Sequence, residues 1–96
     1  MNPNPTYRQS IKILKNKFIS CYIYHMNPGG VEQKHYLDGL EIEYVLKGNC
    51  RTHKQWKLYF RKRGEIHEGI NDSDHELIFL NITIPSESSD NTHYLK

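Results

Sequence analysis

The sequence has few cysteines and no long hydrophobic run. Cys21 and Cys50 are its only cysteines and form no CxxC motif, so we expect two reduced packing residues. No apolar stretch approaches the roughly 20 residues that span a membrane. Residues 1–6 also have no apolar signal-peptide core. The sequence therefore predicts a cytoplasmic protein with no membrane partner.

The chain is also short and weakly charged. Its 96 residues allow one domain with a limited core, which excludes a separate cofactor domain. The formal net charge of +2 is too small to indicate nucleic-acid binding by itself. Basic residues do cluster between 51 and 63. They could bind nucleic acid, attract an anionic substrate or form a solvated hairpin face, and we favour nucleic acid least.

Long helical periodicity is absent, and short apolar segments separated by turns take its place. Typical strand segments are 10–15, 18–26, 33–37, 40–47, 56–61 and 75–84, with weaker ones at 49–54 and 63–68. Many short strands with regular turns indicate a sandwich or barrel. We therefore predict an all-β fold, with an arm at 1–9, a barrel at 10–85 and a tail at 86–96.

Alternation along the strands predicts which side chains face inward. In 40–47, Glu41 and Glu43 oppose an apolar face, and that face is too apolar for water if the glutamates line the barrel. We therefore expect a homodimer, the commonest oligomer. Residues 77–82 are apolar on both faces, which predicts a central strand. Trp56, Leu58 and Phe60 are expected to pack inside.

Six histidines are many for this length. His35 precedes a tight turn and Glu41 follows it, so a hairpin can bring the two side chains together. If the hairpin that carries His67 packs against the first, two imidazoles and a carboxylate converge. Such a set with open positions suits a divalent transition metal.

Two motifs resemble those of the cupins. The first runs from Gly29 through His35 and Glu41 to Gly48, with Leu37 where the family has a second His. The second comprises Gly64, His67 and Asn71, with Lys62 in place of the family's Pro.

The resemblance implies a double-stranded β-helix, a jelly-roll-like conical barrel, with a metal in its mouth. It transfers three ligands to this chain: His35, Glu41 and His67. Gln33 is a possible additional ligand, and the metal could be Fe, Mn, Ni or Zn. Glu43 is a possible replacement ligand or a catalytic base, and the alternative is an ordinary solvated carboxylate.

A narrower similarity links the chain to the ectoine synthases within the cupins. It rests on His35-Tyr36, Leu40-Glu41, Tyr44 and Gly48, and it makes His75 a further possible ligand. It also leaves a lyase or cyclase reaction open. We expect His53, in the basic segment, to be solvated.

These observations favour a metal-dependent enzyme that acts on a small, possibly anionic, organic molecule. The reaction could be that of a lyase, an isomerase or a dioxygenase. Four aromatic residues are candidates for the substrate pocket: Tyr22, Tyr24, Trp56 and Tyr59. The alternative is a non-catalytic domain that binds or senses a small ligand.

Overall fold

A computed structural model describes residues 7–88 and 90–95, with side chains from residue 9 onward. These residues form eight β-strands and no helix. The strands are β1 (Tyr7–Lys15), β2 (Ser20–Met26), β3 (Val31–Leu37), β4 (Leu40–Lys47), β5 (Leu58–Arg61), β6 (His67–Ile70), β7 (Leu77–Ile84) and β8 (Thr92–Tyr94). The described residues thus contain no apolar helix that could cross a membrane. The all-β prediction is confirmed.

The strands form two antiparallel sheets that enclose one interior. The larger sheet has the order β1-β2-β7-β4-β5, and the smaller has the order β6-β3-β8. β7 lies between β2 and β4, which confirms that residues 77–82 form a central strand. Its inward side chains are Leu77, Phe79, Asn81 and Thr83, all buried.

The interior changes character from one end to the other. At one end, a cluster of buried apolar residues fills the space between the sheets: Met26, Val45, Cys50, Leu77 and Phe79. Further along the same strands the inward positions become polar, because Val45 is followed inward by Glu43 and Glu41. Both cysteines are free thiols, as predicted, and Cys50 belongs to the apolar cluster.

Several strand boundaries differ from the predicted ones. Residues 49–54 are irregular with a bend at 51–52 and form no strand, and the weak strand at 63–68 lies instead at 67–70. Strand β8 was not predicted, and its three residues are too few for a sequence pattern. β1 begins at Tyr7 inside the expected arm, whose residues 1–6 lie outside the described part. The strands therefore extend beyond both proposed barrel boundaries.

The inward face of β5 is the opposite of the predicted one. Leu58 and Phe60 are exposed, whereas Tyr59 and Arg61 point inward. Trp56 was expected inside, but its side chain is 63% exposed and lies beside Tyr44 on the outer face. The prediction failed because we placed the bulkier apolar set inside, although the outer face of this sheet is itself apolar.

Two residues of the resemblance motifs have structural roles. Gly48 has a φ of 103°, and a Cβ there would lie 2.9 Å from the Glu76 carbonyl oxygen. Asn71 is fully buried and donates to the carbonyl oxygens of Met26 and His75. These contacts join the turns at the apolar end of the barrel.

Candidate metal centre

His35 on β3 and His67 on β6 lie directly opposite each other in the smaller sheet. Their ring centroids are 4.1 Å apart, and both side chains are buried. Nδ1 of His35 lies 2.8 Å from the Gln33 carbonyl oxygen, and Nδ1 of His67 lies 3.2 Å from that of Glu65. Because a carbonyl oxygen only accepts, each Nδ1 carries the proton. Each Nε2 is left with a lone pair for another partner, as in metal-binding histidines.

Glu41 on β4 brings a carboxylate to the same place. Its Oε1 lies 2.8 Å from Nε2 of His67, and both atoms are buried. The distance is that of an ion pair, although the geometry departs from that of a good hydrogen bond. Two buried ligand-type atoms this close are satisfied by a shared proton or by a shared cation.

The pKa values of the two histidines are shifted in opposite directions. Burial lowers the pKa of His35, which favours the neutral imidazole that binds metal. Burial also acts to lower the pKa of His67, but the adjacent Glu41 carboxylate outweighs it and raises that pKa. A proton and a metal ion would therefore compete for His67.

Glu32 is a candidate ligand that the sequence did not reveal. One ligand atom from each of Glu32, His35 and His67 lies within 4.8 Å of the others, and Oε1 of Glu32 is 4.0 Å from Nε2 of His35. Strict alternation places positions 32 and 35 on opposite faces of a strand. A register irregularity between these two positions turns Glu32 inward.

The two additional ligands that the sequence suggested lie elsewhere. The Gln33 side-chain amide donates to the Leu95 carbonyl oxygen. The His75 side chain is 80% exposed and pairs with Asp74, in a turn near Gly48. His75 cannot reach His35 or His67 from there, so its expected role as a ligand is wrong. Leu37 is buried but has no ligand atom.

A second polar cluster lies next to this site and is centred on Glu43. Oε1 of Glu43 is 3.1 Å from Nε2 of His53 and 3.5 Å from a terminal nitrogen of Arg61. Asn81 donates to the other carboxylate oxygen at 3.5 Å. Glu43 is 2% exposed, so its reading as a solvated carboxylate is wrong.

The partners of Glu43 determine its charge. Burial acts to raise the pKa of Glu43, but the hydrogen bond from His53 and the charges of His53 and Arg61 outweigh it and lower that pKa. An ionised carboxylate that already accepts from its neighbours is a weak proton acceptor. The geometry therefore favours Glu43 as a fixed negative charge over the catalytic base suggested by the sequence.

His53 is another residue that sequence reasoning placed wrongly. It is 2% exposed, not solvated, and its ring lies 5.1 Å from that of Phe79. Its Nδ1 is 2.7 Å from the Thr52 hydroxyl, which also accepts from the backbone N–H of Ile70. The sequence of this basic loop does not indicate that the His53 side chain points into the barrel.

The polar end opens toward the segment after β7. A cavity of about 410 Å³ there is lined by Lys15, Glu87, Ser88, Thr92 and Tyr94. The ring of Tyr94 lies 5.3 Å from that of His35, which connects this cavity to the histidine pair. We call this cavity the mouth.

Glu87 and Tyr24 form a hydrogen-bonded pair at the mouth. The Tyr24 hydroxyl donates to Oε1 of Glu87 at 2.9 Å. Burial raises the pKa of Glu87 despite this bond, and Glu41 and Glu43 add to the rise. Burial likewise raises the pKa of Tyr24. Glu87 can therefore hold a proton at a higher pH than an ordinary glutamate.

Three of the four aromatic residues predicted for the pocket lie inside the barrel. The Tyr22 and Tyr24 rings stack at 5.7 Å, and the Tyr59 ring lies 5.5 Å from that of His53. Trp56 is the exception, on the outer face. Their contact with a substrate stays a prediction.

Comparison with solved structures identifies the fold. No protein-family model matches the sequence, and no curated protein matches it. A solved double-stranded β-helix protein from Klebsiella pneumoniae is 17% identical, with a TM-score of 0.75, over 95% of this chain and 83% of that one. A cupin domain from Bordetella pertussis is 20% identical, with a TM-score of 0.69, over 83% and 94%.

An enzyme of known activity has the same architecture. Oxalate decarboxylase of Bacillus subtilis, studied for its Mn(II) centres, is 17% identical with a TM-score of 0.67. The match covers 82% of this chain and 24% of that one. Together, the two sheets, their strand order and these structural matches establish that the chain has the double-stranded β-helix fold of the cupins.

Proposed function

We propose that this protein is a metal-dependent enzyme that acts on a small organic molecule at the polar end of its barrel. One observation supports this most strongly: ligand atoms of Glu32, His35 and His67 lie within 4.8 Å of one another, and Glu41 Oε1 is buried 2.8 Å from His67 Nε2. His35 presents its Nε2 beside them. The metal-dependent reading also agrees with the Mn(II) centres of the structurally similar oxalate decarboxylase.

The residues present fit a divalent transition metal. Glu32, His35 and His67 have ligand atoms within 4.8 Å of one another and would hold it, and Glu41, 2.8 Å from Nε2 of His67, would complete the set. Two imidazoles with one or two carboxylates suit Fe, Mn, Ni or Zn, and they leave positions open. When bound, the ion would supply Lewis-acid stabilisation of charge on a substrate oxygen.

The chain's own groups divide the remaining tasks. Glu43, held by His53 and Arg61, provides a fixed negative charge beside the site. The Tyr24–Glu87 pair can hold or release a proton at the mouth. These roles fit a lyase, an isomerase or a dioxygenase equally well. A cyclisation like that of the ectoine synthases is one possible lyase reaction.

Metal content tests the proposal directly. Protein purified without chelators is expected to contain stoichiometric metal by mass spectrometry. The metal should be lost in Glu41→Ala and His67→Ala, because each removes a ligand. His75→Ala is the control, since its side chain is exposed in a distant turn, and it should keep the metal. Metal that survives both ligand substitutions would overturn the proposal.

A non-catalytic ligand-binding domain is the second candidate. The mouth cavity of about 410 Å³ is large enough for a small molecule. If the protein binds no metal but binds small anions, this reading replaces the enzyme. We place either function in the cytoplasm.

We also propose that the outer face of the larger sheet pairs with a second copy of the chain. Two rows of aligned apolar residues cross all five strands there: Ile11, Ile23, Leu80, Tyr44 and Leu58, and Leu14, Cys21, Ile82, Ile42 and Phe60. A continuous apolar face of this kind is typical of an interface.

Light scattering tests the dimer. We expect a dimer for the wild type and a monomer for Phe60→Glu, because the charge would enter the apolar face. Phe18→Glu is the control, since Phe18 is 67% exposed in the loop between β1 and β2. A monomeric wild type at micromolar concentration would contradict the dimer.

A further inference from the structure

Arg61 is an arginine on the inner side of the barrel. It ends β5, where it pairs across the sheet with Glu41. Its guanidinium carbon lies 5.2 Å from the centre of the Tyr59 ring, and its side chain is 16% exposed. Arginine is rarely buried to this extent unless it is paired, so its hydrogen-bond partners are informative.

The hydrogen bonds available to Arg61 are incomplete. A guanidinium has five N–H donors and no acceptor. One terminal nitrogen lies 3.5 Å from Oε1 of Glu43, beyond a strong charge-assisted bond. Its Nε is buried, and no residue in the described part of the chain accepts from it. A buried donor without a partner lowers stability, and an acceptor from a ligand would remove that cost.

Glu43 leaves N–H donors of Arg61 available for another acceptor. Its carboxylate already has closer contact with His53, at 3.1 Å, and a contact with Asn81. The guanidinium lies beside Glu43, which is two positions from Glu41 on the inner face of β4, and Glu41 contacts His67. A group bound to Arg61 would therefore lie near the His35–His67 pair. Lys15 adds a positive charge at the mouth.

We propose that Arg61 binds the carboxylate of a small organic acid, the substrate class of this protein. A planar carboxylate accepts from Nε–H and a neighbouring N–H of arginine in parallel, an interaction that lysine cannot reproduce. The position of the acid in the barrel rests on the proposed function, because its reacting part would lie at the proposed metal site of His35, Glu41 and His67. Arg61 would orient the acid there.

Inorganic phosphate shares this chemistry with a carboxylate. The structure favours a carboxylate because Glu43 keeps its negative charge beside the guanidinium, and a divalent anion is repelled more strongly there than a monovalent one. Both anions therefore belong in the test.

Nuclear magnetic resonance of the arginine side chain tests the proposal. The probes are acetate and its uncharged analogue acetamide, titrated at constant ionic strength into metal-free and zinc-loaded protein. Acetate is expected to shift the Nε–H signal of Arg61 in both forms, whereas acetamide should leave it unchanged. Phosphate should shift it only at higher concentration.

Substitutions give a second measurement. Arg61→Gln should weaken acetate binding by about tenfold or more, as expected for loss of a charge-assisted pair. Arg61→Lys keeps the charge beside Glu43, and with it the fold, and should still bind acetate more weakly than the wild type. Arg63→Gln is the matched control, since Arg63 is exposed in the loop that follows β5 and the charge change is the same.

The outcomes separate this inference from the proposed function. If the protein binds no metal but acetate still shifts the Arg61 signal, the metal proposal fails and the carboxylate site stands. If metal binds but Arg61→Gln and Arg63→Gln affect acetate equally, the carboxylate site is wrong. Phosphate that binds better than acetate would overturn the substrate class.

Discussion

The two ends of the barrel interior are built from the same strands but serve different purposes. At the apolar end, Val45 and Phe79 are neighbours across β4 and β7. Two residues further along each strand, Glu43 faces Asn81, and then Glu41 faces Thr83. One pair of strands therefore runs from a packed hydrophobic cluster into a buried cluster of charges.

The difference separates stability from function within one small domain. At the apolar end, the burial of hydrophobic side chains stabilises the folded state. The polar end places Glu41, His67 and Arg61 where some of their buried atoms have no hydrogen-bond partner among the described residues. Such atoms cost stability, and this is the end of the barrel at which we propose that a ligand binds.

The largest expected effect breaks the apolar end. Phe79 is 1% exposed and packs against Tyr24 and His53. Phe79→Ala should lower the free energy of unfolding by about 3–5 kcal/mol, because it leaves a cavity. Urea denaturation measures it, and Phe18→Ala is the control that makes the same chemical change at an exposed position. Equal losses for the two variants would show that the apolar end is not the stabilising half.

The next effect concerns the polar end and depends on metal. Manganese at roughly 100 times its dissociation constant should stabilise the wild type by about 2.7 kcal/mol. Glu41→Gln should lose most of that gain, because it removes a proposed ligand. Glu68→Gln, on the same strand as His67 but facing outward, should keep the gain. A large loss for Glu41→Gln in metal-free protein would make Glu41 a structural residue.

Acid sensitivity distinguishes the two ends in another way. Because the folded pKa of Glu43 is lowered, its stabilising contribution is present above the ordinary glutamate pKa of about 4.3. That contribution is lost as the pH falls through the folded pKa, with a slope of up to about 1.4 kcal/mol per pH unit. We expect the free energy of unfolding, measured by urea denaturation at several pH values, to change less with pH in Glu43→Gln than in the wild type. An equal dependence on pH in the two proteins would contradict the fixed charge.

The predictable part of the site follows from regular strands. The sequence brought His35, Glu41 and His67 together because motif spacing and alternation hold along β4 and at the ends of β3 and β6, and their role as ligands stays a prediction. Glu32 was missed because the irregularity in β3 shifts the face on which it lies. Arg61 and His53 were missed for a different reason. Charged and basic-loop residues are normally solvated, and only the tertiary arrangement turns these two inward.

The smallest effect tests the border between the polar end and solvent. The folded pKa of Glu87 is raised, so the folded state favours the protonated carboxyl group. Ionisation of Glu87 therefore lowers the free energy of unfolding once the pH rises above the ordinary glutamate pKa of about 4.3. Glu87→Gln keeps an acceptor for the Tyr24 hydroxyl and removes the charge. It should therefore raise stability by roughly 0.5 kcal/mol near neutral pH and have no effect at acid pH. Asp90→Asn, exposed in the same segment, should change neither. If Glu87→Gln instead destabilised the protein near neutral pH, the carboxylate would be ionised and paired, and the mouth would hold no proton for the reaction.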